Sequence, residues 1–444
     1  MTLSIFGILI LLLGTLEQFM INHSRLMAFL CILSLFGGCF YFKRTFPNTS
    51  ALVRKLLSCM ALLHLAGLFS DRWIIFTGLG VLLTFVGMII SMAGICKLWK
   101  NKLRHRFLLS FVSFLIFLPA TGILFTTFFP NASMNLVRTV FYDDKNVTTA
   151  KSDQKTLGQL AELHSNLCYD TEAPNGYLDI YYPFTPKETQ PATLIYIHGG
   201  GYVWGDKQSG DPDAGELKLS DSLIYAALEQ GYHVVSFNYC LAPEFPYPAA
   251  IEQLDRGLHY LAEHAEELSL TMDRVFLAGS SAGGNLAGVL ANLQTNEAYA
   301  SQMGITPALS KSAIRGVIFE STLFDNSQYG ITHEIPRDYL FYQLGRVYLQ
   351  TNELKYDKNS VTHSNVTEFV TEDFPPSFIS DGNTGSFYDQ AQEMYTRLTN
   401  LGVDCQFVFY PKSEAVLKHG YEESGSPYAL RTRNAMLEFM DSYD

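Results

Sequence analysis

The chain has 444 residues, 31 basic and 43 acidic side chains and a net charge of −12; its length leads to an expectation of two or more domains. The charge divides near residue 130: residues 1–130 hold eleven Lys/Arg against Glu17 and Asp71, net +9, which leaves 131–444 at net −21. An acidic second part excludes nucleic acid as the expected partner, because neutralising phosphates needs clustered Lys/Arg.

Five apolar stretches open the chain, at about 2–20, 26–42, 52–70, 73–96 and 107–129. A hydrocarbon core of about 30 Å takes roughly 20 apolar helical residues, so residues 1–130 are expected to be an all-α transmembrane domain of about five helices. Loop charge sets the orientation. Lys97, Lys100, Lys102, Arg104 and Arg106 fall between the fourth and fifth stretches, and Lys43, Arg44, Arg54 and Lys55 between the second and third. The loops taken to hold Glu17 and Arg25, and Asp71 and Arg72, are nearly neutral. That alternation places the N-terminus inside and residues 131–444 on the extracytoplasmic side, as an integral membrane protein. The first stretch lacks a basic n-region and a small-residue cleavage site, and reads as an anchor.

Residues 131–150 read as a polar linker, and 151–444 as one α/β domain. A helix-like period covers about 154–166. Strands are expected near 177–182, 193–197, 233–238, 274–278, 315–320, 376–380 and 404–410. Helices are expected near 217–230, 248–266, 283–294, 386–401 and 427–441. Strands alternating with helices predict a mostly parallel sheet with helices on both faces. The long, polar, weakly periodic stretch 321–372 is expected to form a cap over the site together with the 154–166 helix. Cys168, Cys240 and Cys405 suffice for one disulfide at most and read as buried free thiols. Asn131, Asn146 and Asn365 begin glycosylation sequons on the expected outer side.

Two motifs carry the chemistry. Gly279-Ser-Ser-Ala-Gly283 follows the apolar run Val275-Phe-Leu-Ala278 and opens an Ala/Leu-rich helix. This is a Gly-x-Ser-x-Gly strand-to-helix elbow that exposes a strained serine, and its register selects Ser281. His198-Gly-Gly-Gly201 follows Leu194-Ile-Tyr-Ile197 and offers backbone N–H donors to an oxyanion. His419 comes later, in the chain order such a site requires. His259 and His264 lack metal-ligand spacing and read as surface residues, and no metal site is expected. Tyr202 and Trp204 either line the acyl or alcohol pocket or pack the core.

Residues 170–444 resemble the hormone-sensitive-lipase-like branch of the α/β-hydrolase superfamily. The resemblance rests on His198-Gly-Gly-Gly-Tyr-Val-Trp-Gly-Asp206, Tyr239-Cys-Leu-Ala-Pro-Glu-Phe-Pro-Tyr-Pro-Ala-Ala250, Gly279-Ser-Ser-Ala-Gly-Gly-Asn285 and His419-Gly-Tyr421. It implies an α/β-hydrolase fold and cleavage of carboxylic esters without a cofactor. It further implies Ser281 as nucleophile, His419 as general base, and the N–H groups of Gly200, Gly201 and Ala282 as oxyanion hole, with His198 shaping the glycine loop. Ser280 and Cys240 depart from the family pattern where it has Asp and Arg. A third departure matters more: Gly385 stands where the triad acid belongs. Asp381, at the end of a predicted strand, is the first choice of substitute, with Asp389 and Asp325 as alternatives.

The resulting expectation is a membrane-tethered serine carboxylesterase for short acyl chains, with a small-molecule or lipid ester as substrate. The alternatives are an acyltransferase using the same serine and a non-catalytic scaffold. The substrate and the oligomeric state are not legible in the sequence.

Overall fold

A computed structural model describes residues 2–20, 24–45, 51–67, 74–102, 104–142, 146–188, 190–207, 219–350 and 358–444. Its contacts divide the chain into two units, Met1–Ser133 with Ile335–Gln343, and Met134–Glu334 with Leu344–Asp444.

The first unit holds α1 (Thr2–Phe19), α2 (Ser24–Thr45), α3 (Ala51–Gly67), α4 (Ile74–Lys100) and α5 (Arg106–Phe128). By length and composition, Gly78–Lys100 and Arg106–Phe128 suffice to cross a membrane, both with mean hydropathy 2.3. The apolar parts of α1, α2 and α3 are shorter, at Leu3–Phe19, Leu26–Phe40 and Lys55–Leu65. Glu17, read in the sequence as a loop residue, lies inside α1 and is buried.

Helices α1 and α4 run antiparallel in close contact along a seam of glycines. A Cβ on Gly7 would stand 2.3 Å from the Ser91 backbone, and one on Gly14 would stand 2.5 Å from that of Thr84. From the other side, a Cβ on Gly87 would stand 2.2 Å from the Leu11 backbone and one on Gly94 would stand 2.5 Å from Ser4 Oγ. Small residues let apolar helices approach backbone to backbone, where dispersion and polar contacts add up without help from water. Thr84, Gln18 and Thr15 hydroxyl or amide groups are satisfied by local carbonyls or by one another, as in the 2.8 Å Gln18 Nε2–Thr84 Oγ1 bond.

The second unit begins within α6 (Pro130–Val137), followed by a π-helical turn over Arg138–Tyr142 where the sequence suggests a linker. Its nine strands are β1 (Asp153–Leu157), β2 (Ala161–Cys168), β3 (Tyr177–Pro183), β4 (Thr193–Ile197), β5 (His233–Phe237), β6 (Val275–Ser280), β7 (Ile314–Glu320), β8 (Ser377–Ser380) and β9 (Cys405–Val408). They form one sheet in the order β1-β2-β3-β5-β4-β6-β7-β8-β9. From β5 through β4 to β9 every pair is parallel, while β1, β2, β3 and β5 pair antiparallel. The helices that accompany these strands are α7 (Leu223–Glu229), α8 (Ala249–Glu263), α9 (Ala282–Thr295), α10 (Glu297–Met303), α11 (Ile335–Tyr348, of which Leu344–Tyr348 belongs to this unit), α12 (Lys358–His363), α13 (Val366–Phe369), α14 (Tyr388–Asn400) and α15 (Pro427–Tyr443). The inner strands β4 and β6 are buried along their whole length, as parallel strands covered on both faces must be.

Two expectations are corrected, those for residues 154–166 and for the cysteines. The predicted 154–166 helix is the β1–β2 hairpin, reversed at Gly158 with φ +54°, and its Leu157, Leu160 and Leu163 pack on the core. The stretch 321–372 is largely helical where described, with α11, α12 and α13. Its residues 351–357, and 208–218 near the start of the predicted 217–230 helix, lie outside the described residues. The cysteines are free thiols, but Cys168 is exposed and Cys405 half-buried.

Candidate active site

Strand β6 ends in a turn that the two flanking glycines make possible. A Cβ on Gly279 would sit 2.4 Å from the Gly283 carbonyl carbon, and one on Gly283 would sit 2.0 Å from Ile197 O. No other residue fits either place. The turn drives Ser281 to φ +55°, ψ −117°, a conformation L-residues rarely hold. Its N–H is tied to Glu320 O at 2.8 Å, and it stands immediately before the first turn of α9. Strain of this sort persists only where the surroundings over-determine it.

The loop after β4 passes directly beside the elbow. A Cβ on Gly199 would stand 2.9 Å from Ser280 O and 3.4 Å from Ser281 Cβ. Gly200 at φ +100° and Gly201 at φ +59° turn the backbone so that Gly200 O accepts from Val203 and Trp204 N–H. Among the described residues, the N–H groups of Gly200, Gly201 and Ala282 donate no hydrogen bond. The last turn of α11 backs this loop: Leu344 meets Gly201, and Tyr348 stacks on Tyr202 with ring centroids 3.6 Å apart. Tyr202 is therefore packed rather than free to line a pocket, and its hydroxyl lies 3.3 Å from Asn326 Oδ1. Trp204 stacks on Tyr142 at 4.4 Å. His198 is buried against Tyr239, and Nδ1 donates to Gly199 O at 2.8 Å. Burial pulls its imidazole down to about 4, so it stays neutral and braces the loop.

Ser281 Oγ lies 2.9 Å from His419 Nε2. The other ring nitrogen does not lead straight to a carboxylate: His419 Nδ1 faces Ser386 Oγ at 2.8 Å, and the Ser386 hydroxyl donates to Asp381 Oδ1. The polarity of the chain follows from Asp381. When Asp381 is ionised it only accepts, so Ser386 gives it a hydrogen bond and accepts from Nδ1–H, which leaves Nε2 bare for the Ser281 hydroxyl. Gly382 N–H adds a 2.7 Å bond to the same oxygen. Asp381 is fully buried, and desolvation, reinforced by nearby Glu422, holds its carboxyl well above the usual range.

The two alternative acids are engaged elsewhere. Asp389 is exposed and pairs with His333 at 2.8 Å. Asp325 caps the short turn at Asn326–Gln328, accepting from Ser327 N, Ser327 Oγ and Gln328 Nε2 at 2.8 Å each. Gly385, in the vacant acid position, has φ +59° and turns the chain so that Ser386 meets the imidazole. Sequence reasoning missed Ser386. Its only signal is a hydroxyl a few residues beyond the strand-end acid.

Beneath the elbow lies a group of carboxyls that the sequence does not single out. Glu422 is buried and accepts from Ser321 Oγ at 2.8 Å and Ser380 Oγ at 2.9 Å. Ser321 in turn accepts from Gly420 N–H at 3.0 Å, so Glu422 braces the backbone next to His419. Desolvation pushes Glu422 up to about 7. Tyr196 Oη stands 2.7 Å from Glu423 and 3.1 Å from buried Glu320. Burial raises both of those carboxyls, and Arg433 lowers them in part.

A family model described as alpha/beta hydrolase fold matches residues 194–419. The acetyl esterases of Salmonella typhi and Salmonella dublin are each 27% identical over 231 residues, 51% of this chain and 66% of theirs. The chain thus spans just under two thirds of the length of these curated relatives. Among solved structures, esterase B of Lactobacillus rhamnosis is 22% identical with a TM-score of 0.54, covering 70% of this chain and 92% of that one. The same esterase inhibited by a C4-C4 SN3 tributyrin phosphonate gives 23% and 0.54, covering 70% of this chain and 92% of that one. At these identities the likeness shows the fold.

Proposed function

Because this chain belongs to the alpha/beta hydrolase fold family, we propose that it is a serine carboxylesterase. The observation that carries the reading is the 2.9 Å contact between His419 Nε2 and a serine held at positive φ. A serine hydroxyl is a weak nucleophile until a base takes its proton, and an imidazole at this distance is placed to do so. The acetyl esterase name of the Salmonella relatives favours short acyl groups.

The reaction would proceed in two halves. Ser281 Oγ attacks the ester carbonyl as its proton passes to His419 Nε2, and the carbonyl oxygen becomes an oxyanion. The N–H groups of Gly200, Gly201 and Ala282 would receive that charge, already oriented by the glycine loop and the start of α9. The new imidazolium keeps its Nδ1–H on Ser386, and Asp381 stabilises the charge through that hydroxyl. The imidazolium then protonates the leaving alcohol, giving an acyl-enzyme on Ser281. Water repeats the sequence with His419 as base, releasing the acid and restoring the serine.

Apolar helices at the N-terminal end support a membrane tether for this activity, with Gly78–Lys100 and Arg106–Phe128 the segments long enough to span. Loop charge favours an extracytoplasmic hydrolase unit. A fluorophosphonate probe applied to the purified full chain tests the chemistry. Labelling that disappears in Ser281→Ala supports the reading. A folded wild-type chain that does not label would leave a non-catalytic scaffold. The same probe in membrane-impermeant form, on intact cells, tests the side.

A further inference from the structure

Glu17 of α1, Cys31 of α2 and His64 of α3 converge inside the helical unit, all three buried. Glu17 Oε2 lies 3.1 Å from His64 Nε2 and 3.8 Å from Cys31 Sγ, and one ligand atom from each falls within 4.8 Å of the others. Leu57, Met60, Ala61, Leu35 and Ile10 form one buried apolar cluster with Cys31. Side chains of this polarity are costly in such a setting unless they serve one another or a ligand.

We propose that these three side chains bind one divalent ion of the zinc class. His64 Nδ1 lies 2.8 Å from the Met60 carbonyl, which can only accept, so that nitrogen carries its proton. The lone pair of Nε2 therefore faces a carboxyl oxygen, and either a proton or a metal ion must lie between them. A ring whose far N–H is anchored on a backbone carbonyl is the usual arrangement of a metal-ligating histidine. A tetrahedral ion bound at about 2.0–2.1 Å to nitrogen and oxygen and about 2.3 Å to sulfur spaces its ligands by roughly 3.3–3.6 Å, which falls between the 3.1 and 3.8 Å from Glu17 to His64 and Cys31.

Two further observations favour a metal over a shared proton. Glu17 Oε1 is buried and, among the described residues, lacks a hydrogen-bond partner. A proton on His64 would leave that oxygen bare, whereas a carboxylate closing on an ion engages both oxygens. The second is charge. Binding expels the Cys31 thiol proton to solvent, so thiolate, carboxylate and neutral imidazole together carry two negative charges. A divalent ion cancels them, so the loaded site is neutral overall, as low-dielectric surroundings favour. The mixed sulfur, nitrogen and oxygen donors suit zinc and disfavour magnesium or calcium.

The test uses the full chain in detergent, carrying no oligohistidine tag, loaded with Co(II) as a spectroscopic stand-in for Zn(II) and then freed of excess ion. The expected result is about one Co(II) per chain with a near-ultraviolet thiolate-to-cobalt absorption. Cys31→Ser and His64→Ala should lose the band, and Cys59→Ser, an exposed cysteine of α3, should keep it. Glu17→Gln should weaken binding by about tenfold or more. Wild-type chain that retains no Co(II) or Zn(II), or a band that survives Cys31→Ser, would overturn the proposal and leave a hydrogen-bonded trio. Fluorophosphonate labelling of Ser281 on the same samples reports the folded hydrolase unit independently of the metal.

Discussion

Ser386 and His419 meet at 2.8 Å, hydroxyl oxygen to Nδ1, on the edge of the ring opposite Ser281. A hydroxyl thus occupies the place next to the imidazole where a carboxylate is expected, and the negative charge sits one hydrogen bond further away. Ser386 is a positioning residue, because it acts through His419.

Ser386→Ala should therefore cost activity without disturbing the fold. It leaves Nδ1–H without its acceptor and separates Asp381 from the ring. A fall in kcat of about 10²-fold is expected, and Asp381→Asn should cost about 10³- to 10⁴-fold. The two act along one path, so the double variant should be little worse than Asp381→Asn alone. Ester hydrolysis by the purified chain measures all three. Additive losses would mean separate roles. Asp389→Asn should remain near wild type, since its partner is His333.

The pH profile should carry the mark of the buried acid. In the proposed mechanism activity needs Asp381 ionised, and burial with Glu422 nearby raises its carboxyl well above the ordinary range. The acid limb of kcat/KM is expected at higher pH than a solvated carboxylate would give. Glu422→Gln removes the neighbouring charge and should move that limb down. A limb unmoved by Glu422→Gln and by Asp381→Asn would assign it to another group.

Stability should respond to pH through Glu422. A carboxyl raised on folding binds its proton more tightly in the folded chain than in the unfolded one. Stability is then fullest below the unfolded value and declines as pH rises through the folded one. For Glu422 that window runs from 4.5 to about 7, and the change corresponds to roughly 3 kcal/mol. Thermal melts of Glu422→Gln should thus exceed wild type at pH 8, with a smaller difference at pH 5. Equal shifts at both pH values would contradict this origin.

Gly283→Ala tests the elbow itself. Its methyl would lie 2.0 Å from Ile197 O, a backbone atom of a central strand that cannot give way. A loss of at least about 3 kcal/mol is expected, seen as insoluble or destabilised protein. Gly402→Ala has open space but a φ of +77°, so it should cost only about 1 kcal/mol.

The sheet was readable because its inner strands are continuous apolar runs, and because Gly279 and Gly283 announce a turn that few other contexts need. The hairpin at 153–168 was not. Leu157, Leu160 and Leu163 fall at helical spacing, yet they pack on one core only because the chain reverses at Gly158. Tertiary folding reproduced a period that local structure did not have. Ser281 and His419 were legible from motif and order, and Asp381 from its strand end. Ser386 was not, because a serine becomes a relay only through the backbone turn at Gly385. The Glu17, Cys31 and His64 group was hidden more deeply. Its members come from three helices, and no spacing along one chain segment signals them.

The glycine seam between α1 and α4 has a mechanical consequence. The close approaches pair Ser4 with Gly94, Gly7 with Ser91, Leu11 with Gly87 and Gly14 with Thr84, one step back on α4 for each step forward on α1. The glycines recur every seven residues on each helix, a rise of about 10.5 Å. A smaller slide would drive side chains into backbone, so the two helices cannot creep past one another. They act as a rule with coarse graduations, and Glu17, three residues beyond the last of those notches on α1, is held at a fixed mark along it.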